Sequence, residues 1–307
     1  MMRPGVRLND VWRTLRAVDV FCVFYLLVTA ALAVLAACRV PRWPAIVAMD
    51  LSGAVLVVLF RRVSLDLRAR WGRLVFGAFP LALFAWLWAQ SGMLQHILHA
   101  GWYDGVVIRI EHAVFGVDLS LWADRFASKP VTEWMMFGYF GYLPLISAVA
   151  AVLFLRISPR AMDTYLFALG LAFTACYAGF ILLPVAGPQY VFDGRYTHEL
   201  DGYVFTYLAS LMAKYGHYPG GCFPSPHSAA GTVMLFMTFK HHRPTFCAIL
   251  PVIGTFYLAT VYGRYHYVSD TVTGIVLGLI VGWAAPKIEA AWRKVAAPGS
   301  LGTPVGQ

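Results

Sequence analysis

The sequence predicts an all-helical integral membrane protein, a polytopic bundle of about eight membrane-spanning helices. Of the 307 residues, 60% are hydrophobic and only 13% are charged, whereas a soluble domain is about 45–50% apolar and about 25% charged. Apolar stretches recur along the chain, and none shows the strict alternation of a barrel strand. Because only helices and closed barrels satisfy the backbone in lipid, the stretches are predicted to be helices.

The predicted spans are unequal in length. They cover residues 18–38, 44–60, 74–91, 132–155, 161–184, 227–240, 245–262 and 267–285. The second and the sixth are shorter than the roughly 20 residues that a spanning helix needs, so hydropathy alone leaves them open to being buried core helices. The distribution of positive charge favours counting both as spans.

Lysine and arginine divide unevenly between the two sides of such a bundle. With the N-terminus inside, the inside segments carry 16 of the 24 Lys and Arg residues, and omitting either short span would place a basic run outside. Since basic residues collect on the cytoplasmic side, both termini are predicted to be cytoplasmic. We expect a bacterial inner-membrane protein whose long connections, 92–131 and 185–226, lie on the periplasmic side, with interfacial helices in the first.

The chain then divides into three predicted parts. Residues 1–73 hold a cytoplasmic tail and two spans, residues 74–286 a core of six spans, and residues 287–307 a second cytoplasmic tail. The composition excludes a disordered chain and a nucleic-acid binder, so the expected partners include membrane lipids. The five cysteines form no CxxC pair, which argues against a disulfide framework and against a zinc motif.

The first polar cluster is the segment Tyr-Gly-Arg-Tyr-His-Tyr-Val-Ser-Asp at residues 262–270, at the outer end of a predicted span. His266 and Asp270 are four residues apart, which places them on one face of a helix. A carboxylate beside an imidazole fixes its tautomer and makes the other ring nitrogen a better nucleophile or base. Arg264 could bind a phosphate oxygen. The cluster therefore indicates anion binding combined with nucleophilic or base chemistry.

The second polar cluster is the segment Gly-Gly-Cys-Phe-Pro-Ser-Pro-His-Ser at residues 220–228, at the start of the sixth predicted span. Helix N-terminal amides favour a bound anion, and Ser225 adds a hydroxyl donor. His227 could protonate a leaving oxygen as a general acid. Cys222 could be either an activated thiol or a filler in the turn. Asp50, inside the second span, could line a cavity or mark a bend.

These residues resemble a known family. Pro224-Ser225-Pro226-His227 together with Arg264-Tyr265-His266-Tyr267 and Asp270 is similar to the type 2 phosphatidic acid phosphatase superfamily. The histidine-tyrosine pair is closer to the branch that contains inositol phosphorylceramide synthases and their bacterial relatives. The segments Ile110–Asp118 and Pro184–Pro188 also resemble that branch.

The resemblance implies a mechanism that needs no metal or cofactor. In the family, the histidine of the second motif attacks phosphorus and forms a phosphohistidine. Here that residue is His266, with Asp270 orienting it, while His227 protonates the leaving alcohol. Ser225 and neighbouring amides would hold the phosphoryl oxygens. The implied substrate is a phospholipid or lipid phosphate, with water or an acceptor alcohol releasing the phosphoryl group.

Three features depart from the family pattern. Pro226 replaces the glycine of the widespread Pro-Ser-Gly-His motif, Thr260 stands where an arginine usually precedes the nucleophile by six residues, and the upstream Lys…Arg-Pro motif is absent. The phosphate-binding cations must therefore be reassigned. Arg264 is the first choice, and Arg195 and Lys214 of the outer loop follow, although each of these two is equally well explained as a solvated charge.

Several functions remain open from sequence alone. A lipid phosphate phosphatase is favoured over a phosphotransferase that moves a headgroup such as phosphoinositol to an alcohol, because water needs no additional pocket. A non-catalytic lipid binder or transporter is disfavoured because His227, His266 and Asp270 are all present. A metal-dependent hydrolase that uses the histidines is the third alternative.

Overall fold

The computed structural model describes residues 14–216 and 218–296. Within these residues the secondary structure is helical, with no strand. In the part of the chain that the structure describes, seven helices are long and apolar enough to cross a membrane: Ala17–Leu35, Trp43–Asp66, Arg70–Leu94, Lys129–Ile157, Pro159–Leu182, Arg243–Tyr262 and Val268–Val295. The prediction of an all-helical polytopic membrane bundle is confirmed.

We number the helices in chain order. They are α1 (Ala17–Leu35), α2 (Trp43–Asp66), α3 (Arg70–Gly77), α4 (Pro80–Leu94), α5 (Asp104–Phe115), α6 (Leu119–Asp124), α7 (Lys129–Val152), α8 (Pro159–Leu182), α9 (Pro188–Val191), α10 (Val204–Gly216), α11 (Pro226–His241), α12 (Arg243–Tyr262) and α13 (Val268–Ala296). A short π-helical turn, Leu153–Ile157, continues α7. The third span consists of α3 and α4 together.

Each of the eight predicted spans coincides with a helix, but the sixth is too short to count among the seven. Helix α11 has 16 residues, below the length that a 30 Å hydrocarbon layer requires. Most of its side chains are buried against α7, α8, α12 and α13. Neighbouring helices therefore cover most of its surface, and it begins inside the protein at the 220–228 loop.

Helix α8 is the centre of the bundle. About two thirds of its most apolar window, 67%, is buried, and it packs against α1, α4, α7, α11 and α13. At its C-terminal end Gly179 lies against the loop before α11, where an added Cβ would come within 2.4 Å of Pro224 Cδ. The absence of a side chain at Gly179 lets that loop lie directly on α8.

Helices α11 and α13 also approach closely. A Cβ added at Gly274 or Gly278 would come within 2.4 Å of Ser225 O and 2.6 Å of Ala229 O, respectively. Small residues four apart let two helix backbones pack tightly in a membrane. This contact brings the start of α11 beside the start of α13, and so brings the two polar clusters together.

Asp50 is a buried carboxylate that connects three helices. Its carboxylate is fully buried and accepts hydrogen bonds from Thr29 Oγ1 at 2.9 Å and from Gln90 Nε2 at 2.8 Å. These bonds join α2 to α1 and α4. Polar groups buried at such a depth need partners inside the protein, and Asp50 finds them on neighbouring helices.

The long connections pack together at one end of the bundle. The 95–128 connection contains α5 and α6, in agreement with the helices expected there, and the 183–225 connection contains α9 and α10. Tyr103 N donates to Pro184 O at 2.8 Å, and Glu133 on α7 accepts from the backbone of Tyr203 and Phe205 before and within α10. The two connections thus form a layer over the N-termini of α11 and α13.

Candidate active site

The first histidine stands in the opening turn of α11. Ser225 is the N-cap residue, and its Oγ accepts from Ser228 N at 3.3 Å. Pro226 fits the first helical position because it has no N–H to leave unpaired. The sequence Ser-Pro-His therefore starts the helix and places His227 one residue inside it.

The second histidine lies in the tight connection between α12 and α13. After Gly263 the backbone of Arg264 turns through φ 67°, in the left-handed region, and His266 N donates to Thr260 O at 3.0 Å. Asp270 then accepts from Tyr267 N at 2.9 Å in the first turn of α13. His266 and Asp270 are both buried, with 3% and 0% of their surfaces exposed.

The side chains of His227 and His266 lie next to each other. Their ring centroids are 5.8 Å apart. His266 Nδ1 lies 3.4 Å from Asp270 Oδ2, and His266 Nε2 lies 3.2 Å from Ser225 Oγ. The arrangement is a carboxylate behind one ring nitrogen, a hydroxyl in front of the other, and a second imidazole alongside.

The environment of His266 favours its neutral form. Burial lowers the pKa of His266 to about 4, with a smaller opposing effect from a hydrogen bond to the backbone of Cys222. A neutral imidazole keeps the lone pair that a nucleophile needs. Of the residues predicted for the site, His227, His266, Asp270 and Ser225 are thus brought together.

The predicted phosphate-binding cations lie elsewhere in the structure. Arg264 donates to Asp124 Oδ1 at 2.7 Å and to His198 O at 2.5 Å, and its guanidinium stacks 3.8 Å above the ring of Tyr196. Arg264 therefore ties the α12–α13 turn to the outer connections.

The other two predicted cations are exposed. Arg195 lies over Phe192 and 3.9 Å from Asp118 Oδ2, and Lys214 is exposed on α10. Within the described residues, the lining of the two cavities at the histidines includes none of Arg264, Arg195 and Lys214.

Two cavities adjoin at His227. An apolar cavity of about 410 Å³ runs between α4, α7 and α8, and a small pocket of about 30 Å³ lies beside His266. Trp88, Tyr139 and His227 line both. The small pocket is further bounded by Gln189, Tyr218, Gly220, Gly221, Cys222, Tyr265 and His266. His227 therefore stands at the boundary between a strongly apolar space and a smaller, more polar one.

Two buried carboxylates on α5 support the site, and sequence reasoning assigned neither a role. Asp104 accepts from Ala186 N at 2.8 Å, from Gly187 N at 2.9 Å and from Tyr267 Oη at 2.9 Å. Through the last of these bonds Asp104 fixes the side chain of Tyr267, the residue that follows His266. The signal that could have found Asp104 is a carboxylate opening a helix that carries a second one seven residues later.

Glu111 is that second carboxylate, two turns along the same face of α5. It accepts from Ser269 N at 2.8 Å and from Ser269 Oγ at 3.1 Å. Burial raises the pKa of Glu111, although the hydrogen bonds from Ser269 oppose this shift. Through Asp104 and Glu111, α5 fixes the segment that carries both His266 and Asp270.

Cys222 is a buried residue in the wall of the small pocket. Its Sγ lies 3.4 Å from Ala186 O and 3.5 Å from Tyr265 O. Burial raises the pKa of the Cys222 thiol, and the nearby carboxylates of Asp270 and Asp104 raise it further. These surroundings disfavour an activated thiolate. Cys222, His266 and Asp270 are nevertheless grouped closely enough to hold a metal ion.

Comparison with known proteins identifies the family. A sequence model described as the PAP2 superfamily matches residues 106–284, which is more than half of the chain and includes both histidine motifs. No curated protein and no solved structure matches the chain. The match begins within α5 and ends within α13, so it covers the site except for helix α4 and Asp104. The chain belongs to the PAP2 superfamily.

Proposed function

We propose that the protein is a lipid phosphate phosphatase whose turnover passes through a phosphohistidine at His266. Membership of the superfamily supports a membrane enzyme of the phosphatase type that acts on lipid phosphates. The observation that carries the finer proposal is the pair of imidazoles 5.8 Å apart, one backed by a carboxylate and the other at the boundary of the two cavities.

The first chemical step is attack of His266 on the phosphorus atom. Its Nε2 forms a bond to phosphorus while the bond from phosphorus to the lipid oxygen breaks, and protonated His227 gives its proton to that oxygen. Asp270, 3.4 Å from Nδ1, orients the ring and stabilises the positive charge that develops on it. The products are the lipid alcohol and a phosphohistidine.

The second step reverses these roles. His227, now neutral, takes a proton from a water molecule as the water oxygen attacks phosphorus, and the bond from phosphorus to Nε2 breaks. Phosphate leaves, His266 is neutral again, and His227 carries the proton for the next cycle. General acid–base catalysis by one positioned group typically contributes about 10²–10⁴-fold.

The phosphoryl oxygens would be held by groups at the start of α11. Ser225 Oγ is already 3.2 Å from the attacking nitrogen, and amides at a helix N-terminus favour an anion. Arg264, Arg195 and Lys214 remain proposed phosphate ligands. Arg264 would have to exchange Asp124 for the phosphate, because its guanidinium is held by that carboxylate.

The substrate's apolar part would occupy the large cavity. Its lining is made of aliphatic and aromatic side chains, and exposed residues of α4 and α7, Ala85, Leu143 and Ser147, border it. The cavity therefore opens sideways between two membrane-spanning helices, where lipid chains lie. A chain entering from the bilayer would place its phosphate beside His266 and its bridging oxygen beside His227.

The size of the small pocket favours water as the acceptor. About 30 Å³ holds about two water molecules, since one water needs roughly 10–15 Å³ measured in this way. Inositol or another polyol would require more space. The second candidate is a phosphotransferase resembling inositol phosphorylceramide synthases, which is favoured by the histidine-tyrosine pair and by the segments Ile110–Asp118 and Pro184–Pro188.

The leaflet on which the enzyme acts follows from charge. Both histidines lie at the end of the bundle where the long connections pack, opposite the segments that carry most Lys and Arg residues. By the positive-inside rule this end faces away from the cytoplasm, and the substrate is taken from the outer leaflet of a bacterial inner membrane.

The test is product analysis with purified protein in detergent micelles. Phosphatidic acid, a ceramide phosphate and a polyprenyl phosphate are each supplied with and without inositol, and released phosphate and lipid products are separated. We expect phosphate release that inositol leaves unchanged and that persists in a chelator. Inositol phosphate formed in place of free phosphate would instead indicate transfer to an alcohol, and a phosphoinositol ceramide formed from added phosphatidylinositol and ceramide would establish the headgroup transferase. Loss of activity in chelator would establish a metal-dependent hydrolase.

A variant series distinguishes catalysis from lipid binding. His266→Ala is expected to lose turnover, while His241→Ala, at the other end of α11 from His227, keeps it. A non-catalytic lipid binder or transporter would show no phosphate release from any of the three lipids. Unchanged turnover in His266→Ala would rule out the proposed mechanism.

A further inference from the structure

Three donor atoms of different chemistry converge behind the small pocket. One ligand atom each from Cys222, His266 and Asp270 lies within 4.8 Å of the other two, and all three residues are buried. A tetrahedral zinc ion with bonds of about 2.0–2.3 Å would place neighbouring ligand atoms roughly 3.3–3.8 Å apart. His266 Nδ1 and Asp270 Oδ2, at 3.4 Å, already lie at that spacing, and no pair of ligand atoms would have to approach by more than about 1.5 Å to bind one ion.

Two atoms in this cluster lack hydrogen-bond partners. His266 Nδ1 and Asp270 Oδ1 are buried and form no hydrogen bond within the described residues, although Nδ1 lies 3.4 Å from the other carboxylate oxygen of Asp270, Oδ2. Buried polar atoms are nearly always paired, and two unpaired ones beside each other can share a cation. Both belong to side chains with no more than 3% of their surface exposed.

The donor set favours zinc over the common hard cations. A thiolate and an imidazole suit Zn²⁺, whereas Mg²⁺ prefers oxygen ligands and retains several waters. The small pocket is lined by both Cys222 and His266, which provides a path of entry. Three protein ligands leave a fourth position for water, as in zinc sites that are accessible from solution.

We propose that Cys222, His266 and Asp270 form an inhibitory zinc site. Zinc displaces the thiol proton, bonds to the sulfur, to a ring nitrogen of His266 and to a carboxylate oxygen of Asp270, and separates the imidazole from its orienting carboxylate. The inhibitory consequence rests on the proposed function, because it uses the nucleophile and its partner. A chelator reverses the inhibition by removing the ion.

The first experiment is a zinc titration of phosphate release by the metal-free full-length protein. We expect inhibition of the unchanged protein, and at least a tenfold higher half-inhibiting Zn²⁺ concentration for Cys222→Ser and Cys222→Ala. Even substitution of a residue that only hydrogen-bonds to a metal ligand typically lowers metal affinity about 10–100-fold. Cys176→Ser, a buried cysteine on α8, is the matched control and should match the unchanged protein. Mg²⁺ should not inhibit.

A second experiment measures the ion directly and does not depend on turnover. Co²⁺ is added to the metal-free protein, and the thiolate-to-cobalt charge-transfer band is recorded together with bound Zn²⁺ from equilibrium dialysis. The band and one zinc equivalent are expected for the unchanged protein and Cys176→Ser, and both are expected to be lost in Cys222→Ser and His266→Ala.

The outcomes separate the two proposals. Zinc bound equally well by Cys222→Ser and the unchanged protein would overturn the zinc site, whatever the activity. Absence of lipid phosphate turnover with intact, Cys222-dependent zinc binding would overturn the proposed function alone. Inhibition that is equal in the unchanged protein and Cys222→Ser would assign zinc to another site and also reject this one.

Discussion

His227 should be needed for a poor leaving group and nearly dispensable for a good one. The His227→Asn variant removes the proton donor while keeping a polar side chain of similar size in the first turn of α11. A lipid alkoxide is strongly basic and must be protonated as it leaves. A nitrophenolate is far less basic, so its departure requires no proton from the protein.

The magnitude follows from the position of the ring. The centroid of the His227 ring lies 5.8 Å from that of His266, and His227 lines both cavities. In the proposed binding mode it therefore lies beside the oxygen that links the lipid to the phosphoryl group. Loss of a general acid typically slows a reaction about 10²–10⁴-fold, which corresponds to about 2.7–5.4 kcal/mol of transition-state stabilisation. We expect that loss in kcat/KM for a lipid phosphate, and less than about tenfold for p-nitrophenyl phosphate.

The assay compares the two substrates in the same micelles. Because kcat/KM reports only the steps up to the first irreversible one, it isolates the phosphorylation of His266 from the later attack by water. The second step also loses its base in His227→Asn, so p-nitrophenyl phosphate should give a burst of about one nitrophenol per protein. His241→Asn, on the same helix, is the control and should show neither effect.

Two results would refute this reasoning. Equal losses for both substrates would mean that His227 binds phosphate or shapes the site and does not protonate the leaving group. An unchanged kcat/KM for the lipid phosphate would mean that the proton comes from another residue, and the two imidazoles would not share one phosphorus.

Three further predictions concern pH and the residues around the histidines. Burial lowers the pKa of His266 to about 4, so its neutral form persists down to that pH. We expect kcat/KM for p-nitrophenyl phosphate, measured in His227→Asn, to decrease only when the pH is lowered below about 4. A decrease near the ordinary histidine pKa of about 6.5 would contradict the effect of burial. Asp104→Asn should lower kcat about 10–100-fold with little change in KM, because an amide cannot accept all three hydrogen bonds and the residue acts only by positioning; a rise in KM alone would count against this. Arg264→Gln and Asp124→Asn should each lower the free energy of unfolding by about 1–3 kcal/mol, measured by thermal or denaturant unfolding. An increase in KM that occurs only in Arg264→Gln would support the proposed contact between Arg264 and phosphate.

The bundle could be predicted because the bilayer limits the choices. A hydrocarbon layer requires long apolar helices, and basic residues collect on the cytoplasmic side. Composition and charge therefore predict the helices and their orientation without any knowledge of the tertiary structure. The exception is α11, whose 16 residues are shorter than a span because it is covered by protein on most sides. Charge placement indicated its presence correctly, but only the packing shows that it is a core helix.

The contacts within the candidate site could be predicted where the residues are close in sequence. His266 and Asp270 are four residues apart across the start of α13, and Ser225 and His227 lie in one capping motif, so sequence spacing predicted each pair. Asp104 could not be placed, because its partners Ala186 and Tyr267 lie 82 and 163 residues away.

Arg264 shows the opposite difficulty. Its position two residues before His266 predicted that it binds an anion. In the structure Arg264 does bind an anionic group, but that group is the carboxylate of Asp124, 140 residues earlier in the chain. No local pattern distinguishes a phosphate from a carboxylate that arrives from a distant connection. The roles of Arg195 and Lys214 as phosphate ligands likewise stay predictions.

The central proposal is tested most directly by identifying the covalent intermediate. The enzyme is mixed with a lipid phosphate labelled in its phosphoryl group, quenched in alkali, where phosphohistidine survives, and digested for peptide analysis. We predict one labelled peptide that contains His266, absent in His266→Ala. A label on any other residue, or rapid turnover with inversion of configuration at phosphorus and no labelled protein, would contradict a phosphohistidine formed between these two rings.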